Sequence, residues 1–386
     1  MRLLVKKRAE IKSIVNYSNN VSSNLRLHLT NIIGTGACQL VESLLPAIER
    51  ISKAKIERIE LPDRGNLSVY QNVNNETIIR VYRRWLPNAV SRFLECTILA
   101  NKFNGQSPLF VLGDVPLRCI SPQTVFVQTP NLIKPITLAK EAFDLKYKIL
   151  RGLFELNLDR VQSVIVQTEV MRRELERSYP KAIGRVHVIP QPVPEWLLNS
   201  GLVRTGRVST GNRRLKIFYP AASYPHKNHS LLSLIDPNID WNIESFTLTL
   251  DPSINPAPQI PWVRCVGFQS PEAMVQLYSN ADALVFLSKK ESYGFPLIEA
   301  MFVGLPIICP DLPYARVLCG DEAIYFNPDQ LGSLKCAVAE LNLKLDKGWW
   351  PNWNNCLKNI PADWDEVAKR MLAVIFGDID GVKKFK

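Results

Sequence analysis

At 386 residues the chain is too long for one ordinary domain and suits two, each able to bury its own core. Apolar residues make up 46% and charged residues 22%, a globular balance that excludes a disordered or membrane-embedded chain, and no apolar run reaches the length of a membrane span. The formal charge of +11 favours an anionic partner and is compatible with nucleic acid, an acidic membrane face or phosphorylated small molecules.

The opening segment, Met1 to Arg8, turns charged too soon for a signal peptide, so the chain is expected in the cytoplasm. Eight cysteines (38, 96, 119, 265, 309, 319, 336 and 356) are scattered without a CxxC pair and read as reduced packing residues. No helix-turn-helix, zinc finger or RNP-like string occurs, which argues against nucleic acid.

Short β-branched or apolar runs alternate with amphipathic stretches, the pattern of βα units in parallel sheets. In the first half the predicted strands are 25–33, 55–61, 109–112, 124–128, 163–168 and 186–190. After the first of them Ile32-Ile-Gly-Thr-Gly-Ala opens a helix predicted over 39–49, where Leu40, Leu44 and Ile48 line one face. Gly34, Thr35 and Gly36 let the backbone approach a ligand, although a tight βα turn explains them as well. Arg80-Val-Tyr-Arg-Arg-Trp-Leu-Pro and the following Arg92-Phe-Leu mix cations with aromatics. They read first as a solvated basic helix face, since Pro87 interrupts any long helix, and second as a membrane-surface segment.

From 195 to 214, Asn199-Ser-Gly, Thr205-Gly, Ser209-Thr-Gly-Asn and several charges suggest an exposed linker. The alternation then restarts with strands at 215–220, 246–250, 262–268, 283–288, 305–309 and 323–326, and closes with a helix near 362–376. The expected organisation is α/β: two doubly wound domains, 1–195 and 215–361, with a cleft between them, 196–214 as linker and 362–386 as terminal helix and tail. Gly348-Trp-Trp-Pro-Asn-Trp reads as a packed surface loop.

The most informative string is Glu291-Ser-Tyr-Gly-Phe-Pro-Leu-Ile-Glu-Ala-Met-Phe-Val-Gly-Leu-Pro-Ile-Ile-Cys-Pro. Gly294 permits a tight turn, Pro296 suits a first helical turn, and Gly304 with Pro306 ends the helix. That helix starts at the carboxyl end of strand 283–288, where open α/β sheets bind ligands, and the N–H groups of residues 294–297 are expected to attract phosphate. Glu291 and Glu299 flank this anion pocket, and carboxylates accept hydrogen bonds from sugar hydroxyls. Taken singly, Glu299 is equally a complement to the helix dipole and Glu291 a solvated loop charge.

The whole string resembles the E-x7-E signature of retaining glycosyltransferases of the GT-B fold, in particular glycosyltransferase family 4. The likeness extends to Asn280-Ala-Asp-Ala-Leu-Val-Phe-Leu-Ser before it and to Trp364-Asp-Glu-Val-Ala-Lys-Arg-Met-Leu after it. It also covers Ile217-Phe-Tyr-Pro-Ala-Ala-Ser-Tyr-Pro-His-Lys-Asn-His, where Lys227 is similar to the lysine that neutralises the donor diphosphate. The resemblance implies two Rossmann-like domains facing each other across a cleft, with the terminal helix returning to the first. It places Glu291 on the transferred sugar, Glu299 on the nucleotide ribose, and the backbone of Gly294, Phe295, Pro296 and Leu297 on the diphosphate. Lys227 and Glu291 then form the catalytic set, and Gly34, Thr35 and Gly36 border the cleft. The implied reaction takes a nucleoside-diphosphate sugar donor and a saccharide or lipid-linked acceptor, proceeds with retention, and uses neither metal nor other cofactor.

Two departures stand out. Ala221 occupies a place where many relatives carry Arg, so His226, Arg213 or Arg214 is expected to take part of that role, or Lys227 and the helix dipole suffice. Gln128 stands at a strand end where many carry His, and a Gln cannot shuttle a proton. A nucleotide-sugar epimerase or isomerase and a non-catalytic binding protein on the same fold remain as alternatives. Peripheral contact with an acidic membrane surface at the inner face is compatible with the charge.

Overall fold

The computed structural model describes residues 23–51, 54–70, 77–86, 88–135, 145–207 and 214–377. The segment Met1 to Arg8, Pro87 and Arg213, each invoked above, lie outside the described residues. The chain divides into two compact units, the first running to Pro192 and resuming at Pro361, the second spanning Val193–Ile360.

In the first unit the strands are β1 Ser23–His28, β2 Ala54–Pro62, β3 Ile78–Tyr82, β4 Leu109–Val111, β5 Gln123–Phe126, β6 Val161–Val166 and β7 Val186–Val188. They form one parallel sheet in the order β3-β2-β1-β4-β5-β6-β7. In the second unit β8 Leu215–Tyr219, β9 Ile243–Leu248, β10 Val263–Cys265, β11 Ala283–Val285, β12 Ile307–Pro310 and β13 Ile324–Phe326 form a parallel sheet in the order β10-β9-β8-β11-β12-β13. Each sheet winds outward from its first strand and then reverses, so β1 lies between β2 and β4, and β8 between β9 and β11. Such a reversal leaves a crevice outside the carboxyl ends of the two strands, the usual ligand position in this architecture. The doubly wound α/β reading holds for both units.

Burial follows from the composition of these strands. Ala283-Leu-Val, continued by Phe286 and Leu287, is a continuous apolar run and is wholly buried, as a strand covered on both faces requires. The helix Phe295–Val303 is also apolar on nearly every side, with Leu297, Ile298, Ala300, Met301 and Val303 buried, so it sits inside the second unit rather than on its surface. Trp353, from the Trp-rich loop, is buried too and donates its indole N–H to Leu305 O at 2.8 Å, bracing the chain just past that helix.

The closing helix Trp364–Phe376 packs on the helix Thr35–Arg50 of the first unit. Its start is a reciprocal cap: Asp363 accepts from Glu366 N at 2.9 Å, and the Glu366 carboxylate accepts from Ala362 N at 2.9 Å. Trp364, Val367, Ala368, Met371, Leu372 and Ile375 recur at three- and four-residue spacing and form the buried stripe.

Two expectations fail locally. Ile78–Tyr82 is a strand, not part of a basic helix face; as the sheet's edge it is exposed along most of its length and shows no buried-exposed alternation to read. The stretch expected to be an exposed linker begins with the helix Glu195–Ser200 and then binds the second unit through Arg204. The Arg204 guanidinium donates to the carbonyls of Tyr278, Ser279 and Ala281 at the end of the helix Pro271–Asn280, the Ala281 bond being 2.7 Å, where a cation complements the helix dipole.

Gly304 shows how tightly that strap is fitted. It ends the helix Phe295–Val303 at φ 90°, and a β-carbon there would stand 2.5 Å from Arg204 O. Left-handed strain and a backbone clash together make Gly304→Ala costly, on the order of 2–4 kcal/mol. Hydrogen exchange should show the loss as weaker protection of β11 and β12; unchanged protection would contradict the fit described.

Candidate functional site

β8 and β11 pair directly, Ala283 with Ile217 and Leu284 with Phe218, so the loops that follow them emerge side by side at the switch point. The loop after β8 is anchored by its backbone. Buried Tyr219 donates its hydroxyl to Lys227 O at 3.0 Å, and Asn228, at φ 58°, donates its side-chain amide to Pro328 O at 3.0 Å. The loop after β11 is tied to the first: Ser288 Oγ donates to His226 O at 3.2 Å and Lys289 N donates to the same carbonyl at 2.7 Å. From the other side Tyr314 donates its hydroxyl to Ser288 O at 2.5 Å.

These ties bring Lys227 Nζ to 2.5 Å from Glu291 Oε1, with the ammonium 5.7 Å from the centre of the Phe286 ring. The two side chains are only 15% and 11% exposed, so water screens the pair weakly. Residues 64 positions apart in the chain thus meet as an ion pair.

Past Glu291 the chain turns at Gly294, φ 88°, a backbone conformation that favours glycine, and enters the helix Phe295–Val303. The amides expected to face phosphate are fewer than the sequence suggested. Pro296 has no N–H, and Leu297 N donates to Gly294 O at 2.9 Å, so Gly294 and Phe295 remain as the donors of this turn.

Glu299 lies one turn further along this apolar helix and is 6% exposed. The Tyr278 hydroxyl donates to its Oε2 at 2.5 Å. Burial pushes the carboxyl up to about 7, with the Tyr278 bond pulling the other way. A residue placed merely to complement the helix dipole gains nothing from such burial, whereas hydroxyl donors from a ligand would stabilise the ionised form.

The candidates for the missing Arg fare differently. Arg214 precedes β8, at the amino end of the strand, and pairs with Asp240 at 3.2 Å, so it stands at the wrong edge of the sheet. His226 stacks on Tyr224 with ring centroids 5.7 Å apart, and burial followed by the charge of Lys227 lowers its pKa, which keeps the ring neutral at pH 7. Lys289, the neighbouring cation, is exposed and pairs with Asp329 at 2.7 Å. Among the described residues no group of three or more His, Cys, Asp or Glu side chains could hold a metal ion. Two Asp-x-Asp pairs occur: Asp363 caps the closing helix and Asp365 pairs with Arg50 at 2.8 Å, while Asp378 and Asp380 lie outside the described residues.

In the first unit Gly34 caps the helix Thr35–Arg50 with ordinary φ −77°, Thr35 and Gly36 stand in its first turn, and a β-carbon on either glycine would meet nothing within 4 Å. The fold of this unit therefore does not require glycine there. Gln128 is fixed rather than free: its Nε2 donates to Leu112 O at 3.1 Å and its backbone N–H to Asp114 Oδ1 at 2.6 Å.

Several polar residues went unnoticed in the sequence. Asp114, at φ 68°, ties the loops after β4 and β5 through Gln128 and Thr129. Glu95, 1% exposed, accepts from His28 Nε2 at 2.9 Å, from Arg84 at 2.7 Å and from Thr30 beyond the end of β1. Burial alone would raise its pKa, but these three partners hold it at about 2. Tyr278, partner of Glu299, sits in an ordinary amphipathic helix. None of these carries a local spacing signal; each is defined by a partner distant in sequence.

The pKa of Glu299 has a signed consequence for stability. Because its folded pKa is raised to about 7, the group favours folding fully only below the ordinary carboxylate range and loses that contribution as pH rises through 7. Glu299→Gln cannot ionise, so relative to the parent chain it should gain stability between pH 5 and pH 8, on the order of 2 kcal/mol. Denaturant melts of both chains across that range check this; a constant difference would show that Glu299 titrates normally.

Residues 260–341, which include Glu291, Glu299 and the turn between them, match the family model described as glycosyl transferases group 1. The serotype-specific mannosyltransferase WbdA of Escherichia coli is 32% identical over 102 residues, 26% of this chain and 12% of that protein, so the chain spans only a small part of that relative's length. The O-antigen chain mannosyltransferase RfbU of Salmonella typhimurium is 22% identical over 247 residues, 61% of each chain. Among solved structures, sucrose-phosphate synthase from Thermosynechococcus elongatus superposes with a TM-score of 0.63 at 14% identity, covering 93% of this chain and 100% of that one, a likeness of fold. The family match thus lies on the loop and helix that carry both glutamates, and the two parallel-sheet units fit a GT-B architecture.

Proposed function

We propose that the chain transfers a sugar from a nucleoside-diphosphate donor to a saccharide or lipid-linked saccharide, with retention and without a metal, in the assembly of a surface glycan. The observation that carries this reading is the meeting of one cation, two N–H donors and two carboxylates at the β8/β11 switch point. Lys227 and the amides of Gly294 and Phe295 suit a diphosphate, Glu299 a ribose diol one turn further along the helix, and Glu291 the hydroxyls of the transferred sugar. As negative charge grows on the departing diphosphate, a nearly buried ammonium stabilises it more strongly than water would. That is the work a divalent cation does in metal-dependent relatives of this chemistry. The mannosyltransferases named above favour a mannosyl donor. The epimerase and binding-protein alternatives gain no observation of their own.

A lipid-linked acceptor at an acidic membrane face is supported by the edge of the first unit. Ile78, Val81 and Leu86 are exposed there together with Trp85, which is 88% exposed, and with the exposed cations Arg80 and Arg83. Apolar and aromatic side chains interleaved with arginine suit an anionic headgroup layer. Among the described residues no helix is long and apolar enough to cross a membrane, so surface contact is the mode proposed.

A melting-temperature screen of nucleoside diphosphates and their sugars identifies the donor, since a ligand of the native state alone raises the midpoint. Transfer from that donor should survive prolonged EDTA treatment with less than about a twofold loss. A collapse restored by magnesium or manganese would remove the metal-free mechanism. The chain should also co-sediment with phosphatidylglycerol vesicles and not with phosphatidylcholine ones, and Trp85→Ser should weaken that binding; equal sedimentation with both lipids would sink the membrane reading.

A further inference from the structure

The proposed reaction gives Lys227 and Glu291 different tasks, one on the diphosphate and one on the sugar, yet the structure joins them at 2.5 Å. The backbone at each residue is anchored independently of that ion pair. Lys227 is positioned through its own carbonyl by Tyr219, and the loop of Glu291 through Ser288 by Tyr314 and His226. Other cations nearby give little relief, because Lys289 is engaged with Asp329, Lys290 is exposed, and His226 is kept neutral. A diphosphate oxygen seated on Lys227 therefore shares one ammonium with the Glu291 carboxylate, and two anions a few ångströms apart repel in a poorly screened site.

We propose that Glu291 is a competitor for Lys227 built into the donor site, so that the site favours the sugar-bearing donor over the bare nucleoside diphosphate. The proposal rests on the reading of Lys227 and Glu291 as donor-binding residues. When the sugar is attached, its hydroxyls donate to Glu291 and compensate the carboxylate for a shared ammonium. When the sugar has been transferred, Glu291 faces only a second anion and reclaims Lys227. The same carboxylate that receives the sugar thus weakens the hold on the product, which makes it a specificity residue and an aid to product release.

Calorimetry with inorganic pyrophosphate, UDP and GDP on the wild type, Glu291→Gln, Lys227→Ala and the double variant tests this. Glu291→Gln should bind pyrophosphate and the cognate diphosphate about three- to tenfold more tightly, because one of two anions on the ammonium is gone. Glu291→Asp, whose shorter side chain retracts from Nζ, should show a smaller gain in the same direction. In the Lys227→Ala background the gain should fall below about twofold, the sign of coupling between the two residues. Unchanged or weaker pyrophosphate binding by Glu291→Gln overturns the proposal, as does a gain of full size without Lys227, which assigns the effect to direct repulsion alone. Lys227→Ala with unaltered pyrophosphate affinity is a different failure, since it removes the donor-site reading on which the proposal stands.

Discussion

The reversal of strand order that makes β8 and β11 neighbours sets two loops side by side at the carboxyl edge of the second unit, and the Lys227–Glu291 ion pair is the direct result. A parallel sheet cannot place these residues together through local sequence, because its strands are joined by long crossovers. The pair depends on the sheet and on the hydroxyl of Tyr219, which fixes the Lys227 backbone from beneath. The same edge receives the start of the helix Phe295–Val303, and the loops that carry Lys227 and Glu291 are tied to it through Tyr219, Ser288 and Tyr314. Rigid elements hold such a constellation more closely than loops alone.

Glu299 shows what the site costs the fold. An apolar, buried helix would be more stable with an apolar residue there, and among the described residues the hydrogen-bond partner of this carboxylate is the Tyr278 hydroxyl. Burial without a matching cation leaves the group near its titration point at neutral pH, unlike Glu95, whose three partners keep it ionised. Two buried glutamates in one chain therefore sit at opposite ends of the carboxylate range. The satisfied one stabilises the first unit; the under-satisfied one is the residue that the proposed function assigns to a ligand diol.

Much of the second unit was legible in the sequence because its strands are short apolar runs punctuated by Gly and Pro. All six were located, and the Gly294 and Gly304 turns marked the site helix at both ends. The first unit was less so. β3 escaped because an edge strand exposed on both faces has no period to detect, and Arg84 in the adjoining loop was taken as solvated although its guanidinium is 4% exposed against Glu95. The linker reading failed for a related reason: charges such as Arg204 look solvated until the helix end they cap is known. The resemblance to a known signature singled out Glu291, Glu299 and Lys227 but carried no information on their partners, Tyr278 among them, nor on the loss of Leu297 N–H to the turn itself.

The most direct measurement is a crystal structure of the chain with its nucleoside-diphosphate sugar bound. The account expects diphosphate oxygens within about 3 Å of Lys227 Nζ and of the Gly294 and Phe295 nitrogens, the ribose hydroxyls on Glu299, and the sugar on Glu291. A nucleotide seated elsewhere in the second unit, or in this crevice with Lys227 still bound to Glu291 and remote from the phosphates, would contradict it.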